Sequence, residues 1–514
     1  MGSQYLRCRD IDQLVSDSEQ PEKQLKKTLG WISLTAFGIG AIIGTGIFVL
    51  TGTAAAGEQV EVPSILKAPV LDVLLHGMHA TGISGRPGAG PAIALSFFLV
   101  AIVCGFAGLC YAELSSMIPI AGSAYTYTYA TMGELVAWII GWDLILEYAV
   151  SNMAVAVGFS AYVNSLLATF GLHLPAVLST PAYTPGAGWV PHFNIVGFLI
   201  VMLLTVLLIV GIRESAEANS VMVAIKLVAI FIFVVFASKY IRPVNWHPFM
   251  PNGFQGVLTG GAIVFFSYIG FDSVSTAAEE CKNPQKDLPI GIILTLVICT
   301  VLYIAVVVVL TGLVPWQSLM DDAAPIVNTM KRLHFGGVEI VVLCGALMGM
   351  ISSLLVFQLG QARVWFAMSR DGLLPGIFSR VHKRFRTPDF STWVAGFAVG
   401  IPAGLLDIGT LSDLSNIGTL FAFALVAGGV LILRYREPDR PRAFRAPGGI
   451  LAPVATILTC VLLMAGLPIL NWIRFFVWLV IGLVLYYFYG RKHSQLSNEK
   501  LAAAAASAPK EWKL

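Results

Sequence analysis

The sequence contains twelve long apolar segments, and this feature constrains its fold more than any other. They cover residues 31–53, 92–112, 133–167, 193–212, 217–238, 256–277, 290–314, 338–367, 391–406, 413–433, 450–470 and 472–490. A helix needs about 20 mostly apolar residues to cross the hydrocarbon core of a bilayer. The third and eighth segments exceed what a perpendicular span requires, which indicates tilt. The chain is therefore predicted to be an all-α integral membrane protein with twelve transmembrane helices.

The composition supports a lipid-solvated chain. Hydrophobic residues make up 57% of the sequence and charged residues only 12%, whereas soluble domains carry about 25% charged residues. Such a chain cannot cover a water-facing surface, so membrane lipid is an expected partner. The formal net charge of +3 gives no basis for a nucleic-acid partner, because such proteins present strongly basic surfaces.

The distribution of Lys and Arg predicts the orientation. If the N-terminus is cytoplasmic, the inner connections hold 23 of the 32 basic residues and the outer connections hold 7. Cytoplasmic connections carry an excess of Lys and Arg. Residues 1–30 and 491–514 are therefore predicted to be cytoplasmic tails, and the protein is predicted to be a multi-pass monomer.

The sequence offers no metal, cofactor or enzymatic motif. The seven cysteines show no spacing suited to zinc. His76 and His79 lie in a long outer segment, residues 58–90, without a partner at ligand spacing, and we expect a loop there. The motifs HExxH and GxSxG are also absent. We therefore expect no metal, no cofactor and no enzyme.

Glycines interrupt the first apolar segment at mid-membrane. Gly44, Thr45 and Gly46 lie near its centre, where each glycine costs about 1 kcal/mol in a helix interior. Small residues also allow helices to pack closely, so this alternative stays open. The other interpretation is a broken helix, which a bilayer tolerates only where the freed backbone groups line a cavity or bind something.

The sixth segment contains a similar interruption over Phe266-Ser267-Tyr268-Ile269-Gly270. Interrupted helices at corresponding positions of two halves are typical of a transporter site. Residues 31–238 and 256–433 would then form two inverted repeats of five spans, with residues 450–490 forming two peripheral spans. Half-helix N-termini suit a carboxylate and freed carbonyls suit an ammonium group, so the breaks together predict a site for a zwitterionic amino acid.

Few ionisable residues lie within the spans. Lys226 occupies the middle of the fifth, where a lysine costs roughly 2.5–3.5 kcal/mol. It either pairs structurally or is an amine that loses and regains a proton. Asp143 and Glu147, four residues apart, share one helix face, and Asp272 follows the second break.

Three stretches carry a resemblance to a known family. They are Gly38 to Phe48, with the pattern GIGAIIGTGIF, Phe266 to Gly291, and Gly360 to Pro375. In them the sequence resembles the amino acid–polyamine–organocation superfamily, and most of all the bacterial relatives of the cationic amino acid transporters. The similarity covers residues 25–490.

The resemblance implies a LeuT-type fold, in which helices 1 and 6 of a 5+5 inverted repeat are discontinuous and two helices are peripheral. It implies that the substrate carboxylate meets the amides of Thr45 and Gly46, beside Gly44. The amino group is expected at four backbone carbonyls, those of Ile42, Phe266, Ser267 and Ile269. Phe266 resembles the aromatic gate over the substrate.

The resemblance also assigns roles to the ionisable residues. Lys226 is similar to the lysine that carries proton coupling, whereas Glu147 and Asp272 match acidic positions of the cationic branch. Twelve spans, rather than the fourteen of vertebrate members, imply a bacterial inner membrane.

The leading hypothesis is a proton-coupled amino acid symporter, whose partners are an amino acid and protons. Glu147 either favours a cationic side chain or pairs within the protein. An amino acid exchanger of the same fold is the near alternative, and a nutrient receptor that does not transport is an alternative of another class.

Overall fold

The structure is a computed structural model that describes most of the chain. It covers residues 8–9, 11–12, 27, 29–59, 65–76, 85–120, 122–184, 188–210, 213–320, 322–385 and 387–495. His79 and most of both predicted tails lie outside the described residues. The predicted domain boundaries stay predictions.

The described chain up to residue 237 is almost entirely helical. Its helices are α1 Trp31–Ile42, α2 Thr45–Phe48, α3 Leu50–Ala56, α4 Val70–His76, α5 Ile93–Met117, α6 Ala124–Thr131, α7 Glu134–Thr169, α8 Ala176–Ser179, α9 Ile195–Val210 and α10 Arg213–Ala237. α7 has 36 residues, which at 1.5 Å per residue gives a length of about 54 Å. It is therefore longer than the bilayer is thick, as the sequence predicted.

The rest of the described chain is also helical. Its helices are α11 Gly253–Val264, α12 Ser273–Thr276, α13 Pro284–Leu313, α14 Pro325–Arg332, α15 Gly337–Arg370, α16 Asp389–Leu405, α17 Ile408–Arg436, α18 Leu451–Ala465, α19 Ile469–Leu485 and α20 Arg491–His493. Short 3₁₀ turns cover Ile65–Lys67, Gly90–Ala92, Ser238–Tyr240, Pro243–Trp246, Phe265–Tyr268, Ala278–Glu280, Trp316–Leu319 and Gly376–Ser379, and a π-turn covers Tyr486–Gly490.

Two small antiparallel sheets lie in the connections. Strands β1 Gly57–Gln59 and β2 Gly85–Pro87 pair, with Glu58 opposite Arg86. Strands β3 Tyr183–Thr184 and β4 Gly188–Trp189 form the second pair. The long segment that was expected to be a loop, residues 58–90, thus contains secondary structure, namely the β1–β2 pair, the turn Ile65–Lys67 and helix α4.

Eight helical stretches among the described residues are long and apolar enough to cross a membrane, and three shorter apolar helices are α1, α9 and α18. α1 is short because the first predicted span breaks after Ile42. The all-helical membrane architecture is confirmed, and the count of twelve spans stays a prediction.

Burial separates central spans from peripheral ones. The apolar windows of Gly253–Thr276 and α7 are 94% and 83% buried within the protein, whereas that of Ile469–His493 is 22% buried. The interrupted stretch and α7 therefore lie at the centre of the bundle, and the last long helix faces outward.

The described terminal residues meet at one end of the bundle. Arg9 donates to Asp371 Oδ1 at 2.5 Å, and the backbone amide of Gln495 donates to the Asp371 carbonyl at 3.1 Å. The last residue of α17, Arg436, contacts Cys8 at this end, and Asp413, near the start of α17, contacts Arg86 of β2 at the opposite end. We call these the terminal end and the β1–β2 end.

Candidate functional site

The first break occurs at the predicted glycine. α1 ends at Ile42, Ile43 is extended with a ψ of 92°, and α2 begins at Thr45. The intervening Gly44 has φ −144° and ψ −138°. A methyl group at Gly44 would lie 2.6 Å from Ser353 Oγ on α15, so the backbone can approach α15 only without a side chain.

The second break lies in the middle of Gly253–Thr276 and, like the first, places an extended residue after the end of a helix. α11 ends at Val264, a 3₁₀ turn follows, and Ile269 is extended with a ψ of 135°. Gly270 has a φ of +114°, which strongly favours glycine. A methyl group there would also lie 2.9 Å from Ala41 Cβ, so the second break packs directly against α1.

The two breaks touch. A methyl group at Gly46 would lie 2.5 Å from both Cα and Oγ of Ser267. The Tyr303 hydroxyl of α13 lies 3.0 Å from the Ile42 carbonyl and 2.8 Å from the Ser267 carbonyl. The structure thus brings together two of the four carbonyls predicted for the substrate ammonium group, with a hydroxyl between them.

The other two carbonyls differ in their surroundings. The Phe266 carbonyl accepts the Ile269 amide at 3.3 Å, whereas the Ile269 carbonyl has no partner among the described hydrogen bonds. Phe266 is buried, with 4% of its surface exposed. Its predicted role as a gate stays a prediction.

The amides predicted for the substrate carboxylate are unused. Among the described residues, the backbone N–H groups of Thr45 and Gly46 donate to no acceptor. Thr45 is fully buried, and its hydroxyl donates to the Val155 carbonyl of α7 at 3.4 Å. Because buried backbone donors nearly always have a partner, these amides are suited to a bound anion.

Lys226 of α10 caps the end of α1. Its Nζ donates to the Gly40 and Ile43 carbonyls, at 2.9 Å each, and its side chain is fully buried. Ser353 Oγ reaches the same Gly40 carbonyl at 2.9 Å. A cation is favourable at a helix C-terminus, so the lysine stabilises the chain immediately before the first break.

The predicted acidic residues lie together beyond the second break. Tyr148 and Ser123 donate to Asp272 Oδ2 at 2.8 and 3.3 Å. Glu147 interacts electrostatically with Asp272 and Asp143, and neither the Glu147 nor the Asp143 carboxylate has a hydrogen-bond partner among the described residues. Glu147 thus neighbours other carboxylates and makes no hydrogen bond to either break.

Two residues that contact the first break were not predicted from the sequence. Tyr303 and Ser353 both contact carbonyls of the first break, although neither was predicted. The signal was present, since Tyr303 follows an apolar run in the seventh span and Ser352-Ser353 lies in the middle of the eighth. A polar side chain in the middle of a span is costly and is a candidate for a functional role.

Comparison with known proteins identifies the family. Residues 29–494 match the family model of amino acid permeases. The chain is 44% identical over 500 residues to the branched-chain amino acid permease of Bacillus subtilis, covering 97% of this chain and 100% of that protein. This chain belongs to the amino acid permease family.

Other relatives of this chain bear different names. This chain is 42% identical over 496 residues to the methylthioribose transporter of Bacillus subtilis, covering 96% of this chain and 100% of that protein. It is 36% identical over 441 residues to the vacuolar cationic amino acid transporter 4 of Arabidopsis thaliana, covering 84% and 68%. The predicted superfamily is confirmed, and the permease is a multi-pass membrane transporter, not an enzyme.

Proposed function

We propose that this permease is a proton-coupled amino acid symporter. The observation that carries the proposal is the contact of the Lys226 ammonium group with the Gly40 and Ile43 carbonyls, at 2.9 Å each. A protonated lysine stabilises the end of α1, whereas a neutral amine has lost the charge that the helix C-terminus favours. Proton release would therefore loosen the first break and tie proton movement to the transport cycle.

The breaks support binding of the substrate backbone. The unused amides of Thr45 and Gly46 suit a carboxylate, and the paired carbonyls of Ile42 and Ser267 suit an ammonium group. The Tyr303 hydroxyl lies between these carbonyls, so an ammonium group would share or replace it. Gly46→Val should block this site, because even a methyl group there would lie 2.5 Å from Ser267 Cα.

Three finer features belong to the same proposal. We propose twelve spans in the LeuT arrangement, supported by breaks at Ile43–Gly44 and in the middle of Gly253–Thr276. We propose a bacterial plasma membrane location with both termini inside, supported by the asymmetry of Lys and Arg. The terminal end of the bundle would then face the cytoplasm.

Two classes of amino acid are candidate substrates, and they differ in the charge of the side chain. A cationic side chain is supported by the carboxylates of Glu147 and Asp143, which have no described hydrogen-bond partner. A neutral branched side chain is supported by the name of the Bacillus subtilis permease that shares 44% identity. A thermal-shift screen over the twenty amino acids separates them, because a bound ligand raises the melting temperature.

The coupling proposal is tested in proteoliposomes under an imposed pH gradient. The wild type should accumulate labelled amino acid, and Lys226→Met should lose accumulation while retaining weakened binding. Lys331→Met is a matched control, because the Lys331 ammonium also donates to a backbone carbonyl, that of Ser165 at 2.8 Å, but outside the site. It should accumulate substrate normally.

Other outcomes would identify the alternatives. Exchange with internal amino acid, without accumulation by the wild type under a pH gradient, would identify an exchanger. Binding without any movement of substrate would identify a receptor. If Lys226→Met still concentrates substrate on a pH gradient alone, the lysine is not the coupling residue.

A further inference from the structure

A buried arginine at the β1–β2 end has unused donors. Arg86 of β2 donates through Nη1 to Asp413 Oδ2 at 2.7 Å and lies 3.5 Å from Glu58 Oε2. Its side chain is only 4% exposed, and its Nε and Nη2 have no partner among the described residues. Because a guanidinium carries five N–H donors and is costly to bury unpaired, these two nitrogen atoms are open to an acceptor that the described residues do not supply.

Carboxylates surround the arginine in excess. Glu58 interacts electrostatically with both Asp413 and Asp407, and Asp407 Oδ1 is buried without a described partner. A methyl group at Gly409 would lie 3.3 Å from Asp407 Oδ2 and 3.7 Å from Glu58 Oε1, so these two carboxylates flank one point. Two carboxylates thus contact one guanidinium and a third lies beside Glu58, so the described cluster has fewer cations than carboxylates as well as two unused donors.

A zwitterion supplies both missing charges, whereas a metal ion supplies only one. Within the described chain, no group of three or more His, Cys, Asp or Glu residues is arranged to hold a metal. A carboxylate matches the planar fork of a guanidinium, and an ammonium group matches an aspartate.

β2 and the residues that follow it are hydrogen-bonded to α11 and α3, the helices on the β1–β2 side of the two breaks. The Pro87 carbonyl accepts the Thr259 hydroxyl of α11 at 2.5 Å, and the Ala89 amide donates to the Ala54 carbonyl of α3 at 2.9 Å. Movement of either half-helix would therefore act directly on the strand that carries Arg86.

A polar residue lies between this arginine and the second break. Asn416 follows Asp413 by three residues on α17, which places it about 4.5 Å further along the helix. Its Nδ2 donates to the Ala262 carbonyl at 2.8 Å, and its Oδ1 has no described partner. Ala262 precedes Phe266 by four residues. The side chains of Asp413 and Asn416 therefore place polar groups between Arg86 and the second break.

We propose that Arg86 anchors the carboxylate of an amino acid at an entry site separate from the two breaks, and that Asp413 and Asp407 accept its ammonium group. The proposal rests on the proposed function, since the ligand is the transported amino acid. The zwitterion inserts between Arg86 and Asp413, and each of the two residues exchanges one ionic partner for another. No charge is left buried and unpaired, which is the costly outcome when an ion pair is broken.

The first test measures binding without transport. Gly46→Val blocks the site at the breaks, and titration with the amino acid that stabilises the wild type should detect weaker binding that remains. Arg86→Gln in that background should weaken the remaining binding about tenfold or more, as expected for the loss of a charge-assisted bond. The methyl ester of the same amino acid, which lacks the carboxylate, should not bind.

The matched control is Arg332→Gln. Arg332 also pairs with an aspartate, lying 3.4 Å from Asp322 Oδ2, and the connection that holds Asp322 packs against α3, since Leu319 O and Pro325 flank Gly52. In the Gly46→Val background it should leave binding unchanged. If chloride alone stabilises the Gly46→Val protein and the amino acid adds nothing, the site takes an inorganic anion and the proposal is wrong.

The second test compares the two faces of the membrane. In oriented proteoliposomes, Arg86→Gln should raise KM about tenfold for substrate supplied at the β1–β2 end, with KM from the other face unchanged. Arg86→Lys keeps the charge without the fork, so its KM should lie between the two. Size-exclusion profiles and melting temperatures identify any variant that fails to fold.

The outcomes separate this proposal from the proposed function. A wild type that neither binds nor moves any amino acid would overturn both. A transporting wild type in which Arg86→Gln behaves like Arg332→Gln, or changes KM equally from both faces, would overturn the entry site alone.

Discussion

At the scale of single residues, the Tyr303 hydroxyl occupies the position proposed for the substrate ammonium group, between the Ile42 and Ser267 carbonyls. Tyr303→Phe should destabilise the protein without ligand by about 1–3 kcal/mol, because buried carbonyls lose a donor. An added amino acid should then raise the melting temperature more than it does in the wild type, because its ammonium group restores that donor.

A second tyrosine offers the control for this prediction. Tyr162 is also fully buried, and its hydroxyl donates to the Phe48 carbonyl at 2.6 Å. Tyr162→Phe should cost a similar stability, but the shift produced by the amino acid should match that of the wild type. Equal ligand shifts in both variants would show that the ammonium group binds elsewhere.

The stability of the folded protein should depend on pH through Glu58. Burial raises the pKa of Glu58 above its usual value, and the charges of Asp413 and Asp407 add to this effect, which Arg86 only partly offsets. The folded protein therefore holds this proton at pH values where the unfolded chain, with a pKa of about 4.3, has lost it. By linkage, the Glu58 contribution to stability falls as the pH rises through this window.

Glu58→Gln removes this contribution. The melting temperature of the variant minus that of the wild type should therefore increase from about pH 4.3 upward, and level off once Glu58 has ionised in the folded protein. A difference that decreases with pH would mean that Arg86 dominates and lowers the pKa instead.

At the scale of elements, the second break depends on Gly270, whose φ is +114°. Gly270→Ala should cost about 1–3 kcal/mol for the strained backbone alone, and its methyl group would also press on Ala41. Gly261→Ala is the matched control within α11, because its methyl group would meet only Val100 Cγ2 at 3.7 Å. It should be neutral or stabilise by up to about 1 kcal/mol, as measured by thermal unfolding in detergent.

At the scale of the whole molecule, ionic contacts hold both ends of the bundle. Arg86 with Asp413 joins β2 to α17 at one end, and Arg9 with Asp371 joins the N-terminal segment to the end of α15 at the other. The second break lies between them on the most buried of the described long spans, Gly253–Thr276, and the first break packs against it. In the proposed transport cycle these ends open in turn, and the proposed proton release from Lys226, which contacts the first break, would act between them.

The sequence by itself determined the class of the protein and the approximate position of most spans, and it marked the two places where a helix could break, because lipid solvation and helical hydrogen bonding act along the chain. A run of apolar residues predicts a span wherever it occurs, and Gly44 and Gly270 mark places where a helix is costly. The resemblance to the superfamily was likewise evident in three continuous stretches of sequence.

Only the tertiary structure decided which side chains meet at the breaks. Tyr303 and Ser353 come from helices far along the chain, and no local pattern specifies which carbonyls they reach. Tertiary packing also placed Glu147 beside Asp272 and joined Arg86, from a segment predicted to be a loop, to Asp413 across 327 residues of sequence. A continuous apolar run indicates solvation by lipid, but the pairing of polar groups depends on how the helices pack in three dimensions.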